Sequence, residues 1–363
     1  MNRDATQTLM WKEILEQPQV FRRLLERQLP VVRAIAAEAD RREVRSVVVA
    51  ARGTSDHAGT FAQYLFEIRK GVPVSLAAPS VLTLYHGALD LRDSLVIGIS
   101  QSGRAEDVLE VMKCGKTSGG QVVAITNDPA SPMAVYADFS IDLDAGLERS
   151  VAATKTFGAQ MFAVSMLAAV WSGDDAALQR LAEVPAFVEQ AIQTLPAQLD
   201  RIVPQYRFLE EGFVLARGVG YPIAMEMALK IQETNYIRMR AFPMSDFYHG
   251  PMAMLHEGFP VVLFAAEGPA FQNACELASL IGEKASDLLW VTDADETGDC
   301  ALEDMFEQTG ASYRIVHLPR TGDDAISAFL YAVFAQMFAC RLAVARGLDP
   351  DRPRMLNKVT ITR

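Results

Sequence analysis

The feature that most restricts how this chain can fold is an alternation of short apolar strands with longer helical stretches, echoed between its two halves. VVVAARG, ending at Gly53, matches FVLARG, ending at Gly218, and AITND at Ala124 matches WVTD at Trp290. Short β-branched runs separated by helical periodicity read as a parallel sheet covered by helices, because joining parallel strands takes a crossover long enough to hold a helix. The predicted strands are Ser46–Ala51, Val72–Leu76, Ser94–Ser100, Gln121–Thr126 and Phe139–Leu143 in the first half. In the second half they are Phe213–Arg217, Arg238–Phe242, Pro260–Ala265, Asp287–Thr292 and Tyr313–Leu318. Each half closes with an apolar helical stretch, Phe157–Trp171 and Phe329–Ala345. A duplicated α/β unit with five strands in each half follows.

Length agrees with two units, since 363 residues suit two domains of ~100–200 residues each. A connection is expected in the polar helical stretch between Ser172 and Asp200, and the first forty or so residues read as one or two helices with Trp11 and Phe21 on apolar faces. The net charge of −11 argues against a nucleic-acid partner, which would call for clustered Lys and Arg. A small anionic substrate stays open if local donors outweigh the global field. Cys114, Cys275, Cys300 and Cys340 show no CxxC spacing and suit reduced thiols in a cytoplasmic protein. The opening MNRDATQTLMWKEILEQP has no apolar signal core. Neither apolar stretch reads as a membrane span: the first falls short of ~20 residues and the second carries Arg341. Both are expected to be buried helices.

Within SLVIGISQSG, an apolar strand gives way at once to Ser100, Gln101, Ser102 and Gly103. Gly53, Thr54 and Ser55 end the first strand in the same way. Ligands of open parallel sheets sit beyond the carboxyl ends of strands, where turns expose N–H groups at helix N-termini. Ser and Thr at such places also serve as plain helix N-caps, so one cluster alone does not decide. Two clusters at equivalent strand ends favour a ligand. A hydrogen bond to a charged group is worth ~1.5–3 kcal/mol, so a few neutral donors can hold a phosphate without lysine. No GxxxxGK[ST] is present.

GVGYPIAMEMALKIQETNY places Pro222 at the opening of a helix on which Glu226, Lys230 and Glu233 stand at i, i+4 and i+7. An exposed Glu–Lys pair would be worth a few tenths of a kcal/mol. The rest of this helix is apolar almost all round, which means burial, and a buried charged stripe needs partners or a cleft. There a carboxylate beside a lysine can move a proton. His249, in FYHGP, is the histidine in a turn beside Gly250 and Pro251, a setting that suits either chemistry or a loop-fixing contact. Lys358, in the tail DRPRMLNKVTITR, matters only if that tail docks.

Taken together, ARGTSDHAG, ISQSGRAEDVLE, GLERSVAATKTF, ARGVGYPIAMEMALKIQE, FYHGP and LNKVTITR resemble, in order and over nearly the whole chain, the sugar isomerase (SIS) family. The resemblance is to the two-SIS isomerase half of glucosamine-6-phosphate synthase and to SIS-type glucosamine-6-phosphate deaminases. It implies an α/β fold of two tandem SIS domains, each a five-stranded parallel sheet flanked by helices in a flavodoxin-like three-layer sandwich. The implied organisation is a helical segment over 1–40, SIS domains over 41–190 and 191–345, and a tail over 346–363 above the active site. By the same resemblance Gly53, Thr54, Ser55, Ser100, Gln101 and Ser102 hold the sugar phosphate, and Val151 and Ala153 lie at the sugar. Glu233 resembles the base that shuttles a proton between C1 and C2, and His249 the ring-opening residue reached from a partner subunit. Lys358 resembles a tail lysine able to form a Schiff base with the ketose, with Lys230 and Glu226 in support.

Three departures qualify the match. The family's phosphate-loop threonine is Ala105, a serine of its VASTK motif is Ala153, and no glutaminase domain with a nucleophilic cysteine at position 2 precedes the first unit, where Asn2 stands. The resemblance therefore implies deamination rather than synthesis: glucosamine 6-phosphate and water give fructose 6-phosphate and ammonia. A deglycase acting on fructosamine 6-phosphate and a non-catalytic sugar-phosphate sensor are the other readings. No metal or other cofactor is expected, the partner is a phosphorylated amino sugar, nucleic acid and membrane are not partners, and a cytoplasmic homodimer with a shared active site is implied. The carboxylate and the donors are expected to converge on one phosphosugar.

Overall fold

A computed structural model describes residues 4–295 and 302–358. The chain opens with helices α1 (Leu9–Leu15) and α2 (Gln17–Arg41), then alternates through β1 (Ser46–Ala50), α3 (Thr54–Arg69), β2 (Val74–Leu76), α4 (Ser80–Thr83) and β3 (Ser94–Ile99). It continues through α5 (Glu106–Thr117), β4 (Gln121–Thr126), α6 (Pro132–Tyr136), β5 (Phe139–Asp142) and α7 (Lys155–Ser172). Helices α8 (Asp175–Leu181) and α9 (Val184–Ile202) lead to β6 (Glu211–Ala216), α10 (Tyr221–Asn235), β7 (Arg238–Pro243), α11 (Met244–Phe247) and β8 (Pro260–Ala265). The last elements are α12 (Phe271–Glu283), β9 (Asp287–Thr292), α13 (Leu302–Thr309), β10 (Tyr313–His317) and α14 (Asp324–Ala345).

All ten predicted strands are present, shifted at their ends by no more than two residues. They form two sheets, β2-β1-β3-β4-β5 and β10-β9-β8-β6-β7, and every pairing within them is parallel. Renumbered within its own half and read from the other edge, the second order is again 2-1-3-4-5, so the repeat seen in letters is a repeat of topology. The echoed segments fall on equivalent strands, β1 with β6 and β4 with β9.

Chain contacts divide the protein into two compact units. The first comprises Glu16–Pro185 with Met355–Arg363, the second Met1–Leu15 with Ala186–Arg354. In the first unit β3 and β4 are buried along their whole length, as central strands covered on both faces must be. Phe21 of α2 stacks on Phe162 of α7 with centroids 5.2 Å apart. α7 ends at Gly173, whose φ of +72° supplies the left-handed turn that closes a helix. In the second unit Phe213, Phe247, Phe259, Leu263 and Trp290 share one apolar cluster. The N-cap of α14 is Asp323, whose carboxylate accepts from the N–H groups of Ala325 and Ile326.

Helix α14 is long and apolar enough to cross a membrane by length and composition, but its apolar window is 83% buried inside the protein, as expected of a core helix. The four cysteines are not alike. Cys114 and Cys340 are free thiols, whereas Cys275 is disulfide-bonded and Cys300 lies outside the described residues. The expectation of uniformly reduced thiols fails at Cys275, and with it the cysteine argument for a cytoplasmic setting.

Candidate functional site

In the first sheet β1 and β3 are parallel neighbours in a register that sets Ala50 beside Gly98. Strand order reverses direction there, so the loops after β1 and β3 leave the same edge on either side of a topological switch point, where open α/β sheets take their ligands. The first loop carries Gly53, Thr54 and Ser55, and the second Ser100, Gln101, Ser102 and Gly103. The N-cap of α3 is Gly53, at φ +54°, and that of α5 is Ala105. The N-cap residues themselves, a glycine and an alanine, make no side-chain cap bond.

Local bonds instead shape the loops. The Ser100 N–H donates to Ile125 O at 3.1 Å, and the Gly103 N–H to Ser100 O at 3.1 Å. Gln101 O accepts from the Asn127 N–H at 3.1 Å, and Ser102 Oγ from the Arg104 N–H at 3.3 Å. A Cβ on Gly103, at φ +62°, would stand 2.0 Å from Ser131 Oγ, so only glycine fits. Gln160 of α7, buried, directs its Nε2 at Ser55 Oγ at 3.0 Å. With its oxygen accepting from that amide, the Ser55 hydroxyl still carries a proton it can donate. Two arginines flank the loops and are held by carboxylates: Arg52 Nε lies 2.5 Å from Asp107 Oδ2 and Arg104 Nη2 3.0 Å from Asp128 Oδ2.

A third loop of this unit runs from β5 to α7 and carries Val151 and Ala153, both half-buried. Lys155 Nζ pins its near end, donating to Leu147 O at 3.0 Å and to Glu16 Oε2 at 2.6 Å. Glu148 pins the middle. Its carboxylate, buried, accepts from the N–H groups of Thr154 (2.9 Å) and Thr156 (3.1 Å), from Thr156 Oγ1 (2.7 Å), and from Lys358 Nζ (2.6 Å). Burial pushes the Glu148 carboxyl up, but the Lys358 ammonium and the threonine donors outweigh it and hold the group below its ordinary value. Lys358 is thus docked on the first unit by way of Glu148.

In the second unit Pro222 opens α10 as its position suggested. The charged stripe is real and mostly buried. Lys230 Nζ lies 2.5 Å from Glu233 Oε2 and 3.4 Å from Glu226 Oε1, with Lys230 and Glu226 at zero exposure and the Glu233 side chain 21% exposed. Glu233 is therefore the one member of the trio open to a ligand, its carboxylate fixed by a lysine that has no route to solvent. His249 is exposed in the turn after α11, where its N–H donates to Asp246 O at 3.0 Å and Gly250 follows at φ +146°. Among the described residues no group of three or more His, Cys, Asp or Glu is arranged to hold a metal ion.

Sequence reasoning did not single out Glu148 or Gln160. Gln160 carried a signal, an amide inside the otherwise apolar run FGAQMFAVSM, because a buried polar side chain requires a partner. Glu148 stood in plain view within GLERSVAATKTF but resembles a solvated loop acid until the fold buries it.

Two doubly wound sheets of identical order, each with glycine-bearing loops at its switch point, define a class of tandem α/β protein. The SIS domain pattern matches residues 42–170 and again 211–346, and the chain belongs to the SIS domain family. It is 32% identical over 363 residues to the glutamine–fructose-6-phosphate aminotransferase (isomerizing) of Gloeobacter violaceus, a match that takes in 96% of this chain and corresponds to the isomerase half of that protein. The chain spans 58% of that relative's length. The crystal structure of a candidate phosphosugar isomerase from Silicibacter pomeroyi DSS-3 is 32% identical with a TM-score of 0.82, covering 95% of this chain and 100% of that one. Glucosamine-6-phosphate deaminase from Thermotoga maritima shares the fold, with a TM-score of 0.74 at 20% identity over 98% of this chain and 100% of that one.

Proposed function

We propose that this protein is a phosphosugar aldose–ketose isomerase that deaminates its substrate, converting glucosamine 6-phosphate and water to fructose 6-phosphate and ammonia. The observation that carries the reading is the trio on α10, in which a buried Lys230 holds the partly exposed carboxylate of Glu233 at 2.5 Å. A carboxylate so fixed is suited to move a proton between adjacent carbons, work that contributes ~10²–10⁴ in rate. Membership of the SIS family and the names of its relatives, a phosphosugar isomerase among them, support the same chemistry.

In this reading the loops after β1 and β3 hold the phosphate through Thr54, Ser55, Ser100, Gln101, Ser102 and the backbone at Gly53. Val151 and Ala153 border the sugar. His249, exposed in its turn, assists ring opening from the partner subunit of a homodimer. Glu233 removes the C2 proton of the open aldehyde and returns it to C1, leaving a ketimine at C2. Addition of water to that carbon and departure of ammonia give the ketose. Lys358, as the free amine, can take the place of ammonia at C2 and release the ketose later by hydrolysis.

A fructosamine-6-phosphate deglycase is the second reading, favoured by the small side chains at Ala105 and Ala153, which leave room for a bulkier amine. A panel of amino-sugar phosphates and fructosamine 6-phosphates, scored for ammonia and amine release, separates the two. Ammonia from glucosamine 6-phosphate is the expected result. Tight binding of every member with turnover of none would overturn both and leave a sugar-phosphate sensor.

A further inference from the structure

Glu148 is built for more than closing its own loop. Its Oε1 is spent on the Thr154 and Thr156 N–H groups at the start of α7, and Thr156 Oγ1 adds a third donor at Oε2. Those contacts satisfy a helix N-terminus. What they leave is the second lone pair of Oε2, and Lys358 Nζ occupies it at 2.6 Å. The lysine lies 210 residues beyond Glu148 in sequence yet belongs with it to the first unit.

A contact so remote in sequence fixes where Lys358 lies. Apolar burial does little of that work, since Met355 is 98% exposed and Leu356 42%.

We propose that Glu148 is the seat of the C-terminal tail, a positioning residue whose carboxylate parks Lys358 as an ammonium beside the loop that carries Val151 and Ala153. An amine attacks a carbonyl carbon with the lone pair of its nitrogen, and a lysine whose Nζ donates to Glu148 Oε2 at 2.6 Å has that nitrogen engaged by the carboxylate. The parked and the reactive states of Lys358 therefore exclude each other, and release from Glu148 is the step that frees the amine. This link to turnover rests on the function proposed above, but the seat itself does not.

Reductive methylation of the full-length protein with formaldehyde and a borane reductant, read residue by residue by mass spectrometry, tests the seat. In the unaltered protein Lys358 is expected to react about tenfold more slowly than Lys113, whose ion pair with Glu110 is exposed. In Glu148→Gln it is expected to approach the rate of Lys113, while Lys230, at zero exposure, stays protected and reports that the fold is intact. Equal rates for Lys358 and Lys113 in the unaltered protein would overturn the proposal, and so would a Lys358 rate that Glu148→Gln leaves unchanged. If the variant unfolds and Lys230 becomes reactive, the comparison in the unaltered protein decides. Ammonia release in the same preparations separates the two ideas: a protected Lys358 with no turnover of any amino-sugar phosphate sinks the proposed reaction and leaves the seat standing.

Discussion

Lys230 shows how one side chain ties stability to chemistry. It stands without exposure between Glu226, equally buried, and Glu233, which is partly open. Removing it takes from the fully buried Glu226 carboxylate the cation 3.4 Å away, where loss of a charge partner is costly. Lys230→Met is therefore expected to lower unfolding stability by about 3–5 kcal/mol, measured by urea denaturation, along with any loss of activity. A loss under about 1 kcal/mol would mean that the trio is not the compensated buried charge cluster described here. The identity and spacing of these three residues were legible in the sequence, because charges on an otherwise apolar helix must be explained. Which of them faces outward was not, since that depends on what packs against each side of α10.

Elements place the donor loops, and here the sequence was most informative. Short apolar runs, most of them β-branched, marked the ten strands, and Pro222 marked the start of α10 through chemistry local to that residue. Contacts remote in sequence were not legible. Glu148 with Lys358 and Gln160 with Ser55 each join residues whose nearness is a product of the fold. Gly103 belongs to the local class, because it turns the loop after β3 at φ +62° with Ser131 and Thr126 closing around the place a Cβ would occupy. Gly103→Ala is expected to push that loop out of shape and weaken phosphosugar binding by tenfold or so, about 1.4 kcal/mol, in calorimetric titration. Unchanged affinity would remove the loop after β3 from the phosphate-binding role.

At the scale of the whole molecule, duplication gives two sheets of one topology, but the two units carry different chemistry. The first bears the neutral donors, the second the charged trio and His249. If His249 serves the active site of a partner, two inactive variants should repair each other. His249→Ala and Glu233→Gln, mixed and reassorted, would form hybrid dimers in half of the population, each with one intact site, and recover about a quarter of full activity. Recovery of nothing from a reassorted mixture would place His249 in its own chain's chemistry or outside the mechanism.

The central claim is that Glu233 carries the proton between C2 and C1, and the most direct measurement is ammonia release by Glu233→Gln set beside calorimetric binding of the same phosphosugar. The account predicts turnover reduced by at least ~10²-fold with affinity largely kept, because the carboxylate acts on the reacting carbons and the donor loops are untouched. A variant that binds and still releases ammonia at the normal rate would contradict it.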